Sequence, residues 1–446
     1  MPSRSIDLPT LATLIESLCP QCNPRQSKLS ATNPHDPSRL RTLAAFCLTS
    51  RWANSLATPH LYHRPTCARW PLLARTLILR PDLAARVTHL CVEDWPGVAG
   101  DTLPPEVLSY WGDMVQNLTG DDTEVDPDDP ELMNVGLDLL LPLCPNLEEL
   151  DTVLDNADAF TFAQPGSLRS LRALAVTYAD TEGGLDLGEL SPLAAAAPNL
   201  SKILGHQVGG AVELHATFAN VTHVCLDWST LGPDCLRNIL RACPRLGSFE
   251  FRAGGCSFGD EQFTPLEAQD AIVELAPRLK SLALDFAMAD SFDAAVFGDE
   301  WIMSSVAGLE ALERLDLDMR CLVTHKNPHV DERVRGPDGE LVLLGQGPLA
   351  APGAMALVDL LPSSICEVRV RQLAGGPEVA ALAHSLVRLA EVAPGRFPKL
   401  RKVVVHETEH PDMKAAGRRF DEVSVEFRAE NGSESRNGSP WESTID

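Results

Sequence analysis

Few strings in this 446-residue chain place chemistry-bearing side chains at a spacing that a reaction would use. His406-Glu407-Thr408-Glu409-His410 matches the His-Glu-x-x-His pattern. That chemistry needs both histidines on one helical face to hold zinc, with the glutamate activating a bound water. Here the string directly follows Val403-Val404-Val405, a strand candidate, and Pro411 disfavours helical geometry at His410. The two histidines are therefore expected to point apart. Cys19-Pro20-Gln21-Cys22 has metal-ligand spacing, and His35 could add a third ligand. No second Cys-x-x-Cys or histidine pair follows at finger-like distance, so two incidental loop cysteines are expected. The acidic run Asp121-Asp122-Thr123-Glu124-Val125-Asp126 lacks the glycine of a calcium loop and is followed by Pro127 and Pro130, which predicts a solvated loop. There is no glycine-rich phosphate loop leading into a helix and no Gly-x-Ser-x-Gly elbow. The expectation is a non-enzyme with no catalytic residue, no metal ligand and no cofactor.

Composition narrows the partners. Thirty-seven basic residues stand against 62 acidic ones, a formal net charge of -25. Such a chain repels phosphate backbones and anionic membranes, so neither nucleic acid nor a membrane is an expected partner. Hydrophobic residues make up 44% but aromatics only 5%, a balance that suits stacked layers of small aliphatic side chains. The twelve cysteines sit in apolar stretches such as Phe46-Cys47-Leu48 and Val224-Cys225-Leu226, as small core residues of a reducing compartment would. Met1 to Pro20 has no secretory character, being interrupted by Asp7 and Glu16, and no apolar run reaches membrane-spanning length. A cytoplasmic or nuclear location is expected, which leaves sequons such as Asn117-Leu118-Thr119 uninformative.

What must position any binding residue is a repeat. Cys144-Pro145-Asn146-Leu147, Ala197-Pro198-Asn199-Leu200, Cys243-Pro244-Arg245-Leu246, Ala276-Pro277-Arg278-Leu279 and Phe397-Pro398-Lys399-Leu400 share one grammar. An apolar residue follows each final leucine by three: Leu150, Ile203, Phe249, Leu282 and Val403. The proline ends an apolar helical stretch, the chain turns, and alternating apolar residues make a short strand with one face buried. Helix, turn and strand form one leucine-rich repeat. Copies without this proline start at Val87, Leu171, Val221, Leu312 and Ile365. At 44% apolar content the bare three-residue core arises by chance at about 8% of positions, so the prolines carry the argument. Insertions are expected near residues 96–134 and 324–353. In the second, Pro337-Asp338-Gly339 lies between Val334 and Leu341-Val342-Leu343-Leu344, which predicts a hairpin. Val423, Val425 and Phe427 alternate as a closing strand, and residues 428–446 read as a disordered tail.

Residues 1–62 differ from this pattern. Leu8-Pro9 is followed by Leu11, Leu14, Ile15 and Leu18 at helical spacing, and Leu43 and Leu48 lead into Thr49-Ser50-Arg51-Trp52. Pro59-His60-Leu61-Tyr62-His63 closes the segment. This combination resembles the F-box of fungal F-box and leucine-rich-repeat proteins. The resemblance implies an α/β solenoid, a leucine-rich-repeat horseshoe over residues 63–427, preceded by a small helical F-box-like segment. It also implies that Leu8, Pro9, Leu11, Leu14, Ile15, Leu18, Leu43, Leu48 and Trp52 pack the box or meet a Skp-type adaptor. The repeats would then recruit a protein substrate for a cullin-based ubiquitin ligase.

Strand alternation predicts the recognition face. With Phe249 and Phe251 buried, Glu250 faces outward, and the same phase brings out Glu149, Asp151, Asp227, Asp285, Asp316 and Asp318, then Arg369, Arg371 and Lys402. That face is acidic in the middle and more basic toward its C-terminal end, and suits a protein partner of opposite polarity. Two further readings stand behind the substrate receptor. One is a repeat scaffold whose helices only cap the array. The other is a zinc-dependent hydrolase using His406, Glu407 and His410.

Overall fold

A computed structural model describes residues 8–19, 37–65, 70–92, 104–119, 140–154, 164–179, 183–212, 218–254, 262–286, 302–322, 333–335, 341–343, 357–371, 377–406 and 411–430, with single positions 137, 160 and 214. They form two compact units, residues 1–180 with 187–204, and residues 181–186 with 205–437.

Among the described residues the first unit begins with three helices, α1 (Leu8–Leu18), α2 (Pro37–Cys47) and α3 (Arg51–Leu61). Ser50 stops the chain between α2 and α3 because its hydroxyl accepts the Ala53 N–H at 3.0 Å, satisfying an otherwise orphaned helix-end donor. Ile15, Leu43 and Ala57 pack into a small core, with Leu18, Phe46, Cys47, Leu56 and Leu61 around it. Then come α4 (Trp70–Leu79), α5 (Pro81–Ala84), β1 (His89–Val92), α6 (Pro105–Thr119), β2 (Glu149–Leu154) and β3 (Ala173–Tyr178). The stretch expected as a first insertion thus contains α6, whose Val107 and Trp111 are buried. β1 pairs in parallel with β2, and β2 with β3.

A short β4 (Leu185–Asp186) precedes α7 (Ser191–Ala196), β5 (Lys202–His206) and β6 (Val208–Gly210). The second unit continues with β7 (His223–Ser229), α8 (Pro233–Ala242), β8 (Ser248–Ala253), α9 (Pro265–Leu275), β9 (Ser281–Asp285) and β10 (Arg314–Asp318). It is completed by β11 (Arg333–Arg335), β12 (Leu341–Leu343), α10 (Leu357–Leu360), β13 (Glu367–Arg371), α11 (Pro377–Arg396), β14 (Lys402–His406), α12 (Pro411–Glu422) and β15 (Glu426–Glu430). β7, β8, β9, β10, β13, β14 and β15 lie side by side, every neighbouring pair parallel.

The five proline strings are one turn repeated. In each, the leucine N–H donates to the carbonyl three residues back, Leu147 to Cys144, Leu200 to Ala197, Leu246 to Cys243, Leu279 to Ala276 and Leu400 to Phe397, at 3.0–3.1 Å. Proline occupies the second turn position, where its fixed φ is already correct. The weaker copies close the same turn, Val87 to Ala84, Leu171 to Leu168, Val221 to Phe218, Leu312 to Leu309 and Ile365 to Pro362. Within each unit, turns lead into strands that dock on the strand before them through a shared acceptor. The Thr88 carbonyl takes both the Glu148 and Glu149 N–H groups, Gly247 takes Lys280 and Ser281, and Glu313 takes Cys366 and Glu367. The apolar strand residues are buried, among them Phe249, Phe251, Leu282, Leu284, Leu315, Leu317, Val368, Val370, Val403 and Val405. At roughly 1.5–3 kcal/mol per buried large aliphatic or aromatic side chain, this face dominates stability.

The hairpin expected near 334–344 is present as β11 and β12, antiparallel with Val334 opposite Val342. The closing strand begins later than its alternation predicts. α12 runs through Glu422, and Ser424 turns the chain at a φ of 60°, so pairing with β14 starts at Glu426 opposite Lys402. Residues 431–446, the greater part of the expected tail, lie outside the described residues. Among the described residues no helix is long and apolar enough to cross a membrane.

Candidate interaction surfaces

The parallel register sets the charged residues of the second unit in rows across the sheet. Glu250 stands opposite Ala283, Asp316 opposite Ala283 and Arg369, Arg252 opposite Asp285, and Asp318 opposite Arg371. These rows are not free charge. The Arg371 guanidinium grips Asp316 with two bonds, Nε to Oδ1 at 3.0 Å and Nη2 to Oδ2 at 2.8 Å, and reaches Asp285 Oδ2 with Nη1 at 2.9 Å. Two-pronged carboxylate pairing of this kind is among the stronger protein hydrogen bonds. Burial alone would lower the Arg371 pKa, but the Asp316 and Asp285 carboxylates outweigh it and raise it. Arg252 holds Glu250 at 2.8 Å and lies 3.7 Å from Asp227. Asp227 is also 3.5 Å from His206. Lys402 reaches Glu367 at 3.2 Å, and Arg369 stands 4.0 Å from Asp316 and 3.9 Å from Glu367.

Two members of the expected face differ from its phase. Asp318 is 1% exposed and Glu250 7%. Asp318 is the N-cap of a single 3-10 turn (Met319–Cys321), its Oδ1 accepting the Arg320 N–H at 2.6 Å, which draws the side chain inward from the alternating pattern. Burial, then the neighbouring Asp285 carboxylate, push the Asp318 pKa up to about 7. Glu250 is drawn down by Arg252 beside it. In the first unit, Glu149 remains exposed and bonds His89 at 2.9 Å. That hydrogen bond, outweighing burial, lowers the Glu149 pKa. Asp151 accepts the Cys91 thiol at 3.4 Å.

The N-terminal helices separate the nine residues of the F-box resemblance into classes. Ile15 and Leu43 are in the small core, and Leu18 packs against it. Leu14 is 49% exposed, Leu48 88% and Trp52 40%. Leu8, Pro9 and Leu11 lie on α1, and their side chains are outside the described residues.

The zinc-protease string does not form a helix at its first histidine: His406 ends β14 and is buried. Glu407, His410, the acidic run 121–126, Cys22 and His35 lie outside the described residues. Cys19, in contrast, is at the end of α1 with ligand atoms of His60 and His63 close by, a grouping the Cys19–Cys22 spacing gave no hint of.

The repeated turn, the buried leucine after it and the parallel register together decide the architecture. These are leucine-rich repeats. No protein-family model matches the chain, and no curated protein matches it. Among solved structures, the leucine-rich-repeat protein LIC12759 of Leptospira interrogans is 13% identical over 80% of this chain and 81% of its own, with a TM-score of 0.26. The leucine-rich-repeat domain of the type III effector XopL is 15% identical over 48% of this chain and 81% of its own, at 0.25. TLR13, in the crystal structure of its complex with ssRNA13, is 14% identical over 65% of this chain, at 0.31. The chain spans 33% of that TLR13 chain. At such scores these likenesses add nothing to what the leucine-rich repeats establish by their own geometry.

Proposed function

We propose that this leucine-rich-repeat chain works by protein–protein interaction, as a substrate receptor. Its N-terminal helices dock a Skp-type adaptor of a cullin-based ubiquitin ligase, and its repeats hold a protein substrate. The observation that carries the adaptor half is the exposure of Leu14, Leu48 and Trp52 on a helical bundle whose core is already filled by Ile15, Leu43 and Ala57. Large apolar side chains left in water beside a satisfied core are the usual anchors of an interface. They are also residues that the F-box resemblance assigns to packing or adaptor contact. On the substrate side, Arg369, Lys402, Glu149 and Asp227 keep partial or full exposure, whereas Asp318 and Glu250 would act only through their neighbours.

A second reading has its own support. The His63 carbonyl, just past α3, accepts the Thr88 N–H and His89 N–H, each at 3.0 Å, which attaches the helices to the first strand as a cap would be. On that reading the chain is a repeat scaffold with no ubiquitin role. Titration of the purified full chain against a Skp-type adaptor separates the two. The receptor reading expects saturable binding, weakened at least about tenfold by Leu48→Glu or Trp52→Ala, as loss of one apolar anchor costs. Absence of binding by a folded wild-type chain leaves the scaffold.

A further inference from the structure

We propose that Cys19, His60 and His63 form a binding site for zinc or a similar borderline divalent metal, and that the bound ion staples the first helix to the third and to the start of the repeats. This rests on geometry that adaptor docking does not enter. Cys19 sits one residue past α1, held there because its N–H donates to the carbonyls of Ile15 at 3.1 Å and Glu16 at 3.2 Å. Its side chain is fully buried. His60 is in the last turn of α3 and His63 lies just past the helix's C-cap, Tyr62. One sulfur and two imidazole nitrogens, contributed by chain segments more than 40 residues apart, lie within 4.8 Å of one another.

Distances test the fit. Around a tetrahedral zinc with Zn–S about 2.3 Å and Zn–N about 2.0–2.1 Å, neighbouring ligand atoms stand about 3.3–3.6 Å apart. Cys19 Sγ and His63 Nδ1 are already 3.4 Å apart. The His60 and His63 rings meet edge to face at 5.3 Å between centroids, so the two imidazoles are neighbours as well as sharing the thiol. Thiolate plus imidazole is a donor set suited to zinc and poorly suited to magnesium or calcium. Three protein ligands leave one tetrahedral position for water or an incoming donor.

The anchorage makes the ion structural. The His63 carbonyl accepts the Thr88 and His89 N–H groups at 3.0 Å, and also the Thr88 hydroxyl at 3.2 Å, so His63 is tied to β1 whatever its ring does. Among the described residues α1 packs through the small Ile15–Leu43–Ala57 core. An ion here would add a second tie to that core, and metal affinity would appear as folding stability.

The test uses the full chain, stripped with a chelator under reducing conditions and titrated with cobalt(II) as a spectroscopic stand-in for zinc. One equivalent should give intense tetrahedral d–d bands with a thiolate-to-metal charge-transfer band, and zinc should bleach them. The Cys19→Ser variant should lose the charge-transfer band. His60→Gln and His63→Gln should each weaken cobalt binding by more than the about 10–100-fold typical of an outer-ligand change. Zinc should also raise the wild-type Tm and leave the Tm of the variants unmoved. His60 is half-buried, so His60→Gln remains a valid reporter if Cys19→Ser fails to fold. Retention of the same charge-transfer band and affinity in Cys19→Ser and His60→Gln, or no stoichiometric binding by the folded wild-type chain, would overturn the site.

Discussion

In the N-terminal helices, Ile15 and Leu43 are buried while Leu14, Leu48 and Trp52 face water. On the polar sheet face of the second unit, the reverse holds. Arg371, Asp316, Asp285, Arg252, Glu250, Lys402 and Glu367 are each held by another side chain of the same face. The helical segment thus keeps large apolar side chains open to water, whereas the repeat face has largely neutralised itself. A row of charges read from alternation is therefore a poor measure of what a partner would meet, because ion pairs within the face have already been made. The exposed leucines and tryptophan are better evidence, since they stay open to solvent beside a core that is already packed.

That contrast can be broken first at Arg371. If its role is to neutralise Asp285 and Asp316 from within, Arg371→Ala leaves two partly buried carboxylates without their cation and should cost up to about 3–5 kcal/mol in urea unfolding. An unchanged midpoint would return Arg371 to the surface as a residue held for a partner. Next is Leu43→Ala, which empties the small helical core and should cost about 2–5 kcal/mol. The loss should be read as hydrogen exchange that quickens in α1 to α3 while the strands of the second unit keep their protection. Quickening everywhere alike would mean the helices are not a separate site of weakness.

Asp318 sharpens the comparison through pH. Its folded pKa of about 7 lies above the ordinary value of 3.8. Between those values the unfolded chain gives up the proton that the folded chain keeps, so the residue's contribution to stability falls as pH rises from about 4 to about 7. The difference between wild type and Asp318→Asn should grow across that window in favour of the variant, by roughly 1–4 kcal/mol at its upper end. Parallel pH profiles would show that Asp318 is ionised in the fold. The smallest effect is expected at Leu48→Ser, within about 0.5 kcal/mol of wild type, since nothing packs on a side chain that is 88% exposed. A large loss there would mean that Leu48 belongs to the fold and is no anchor.

The repeats were legible because their signal is local. Proline, leucine and the next apolar residue fall within seven positions, and all five units that carry the proline, with the five weaker copies, form the turn and strand. The charged face was legible only in phase. Asp285 and Arg371 are 86 residues apart, and nothing in either neighbourhood announces the pairing. Asp318 departs from the alternation because the residue that ends a strand here also caps a turn. The spacing around Cys19 points only to Cys22 and His35, which lie outside the described residues. Cys22 and His35 are near in sequence, but His60 and His63 are brought to it by the packing of α1 on α3, which no spacing rule encodes.

The forked acceptor between successive strands has a consequence for how such a chain can change. Gly247 receives Lys280 and Ser281, and Glu313 receives Cys366 and Glu367, by the same joint although the second interval is far longer. A joint indifferent to the length of what it spans lets a lineage lengthen, shorten or exchange the intervening segment while the register is inherited intact. The hairpin of β11 and β12 sits inside that longer interval. New recognition can be grafted there without refitting the scaffold on either side.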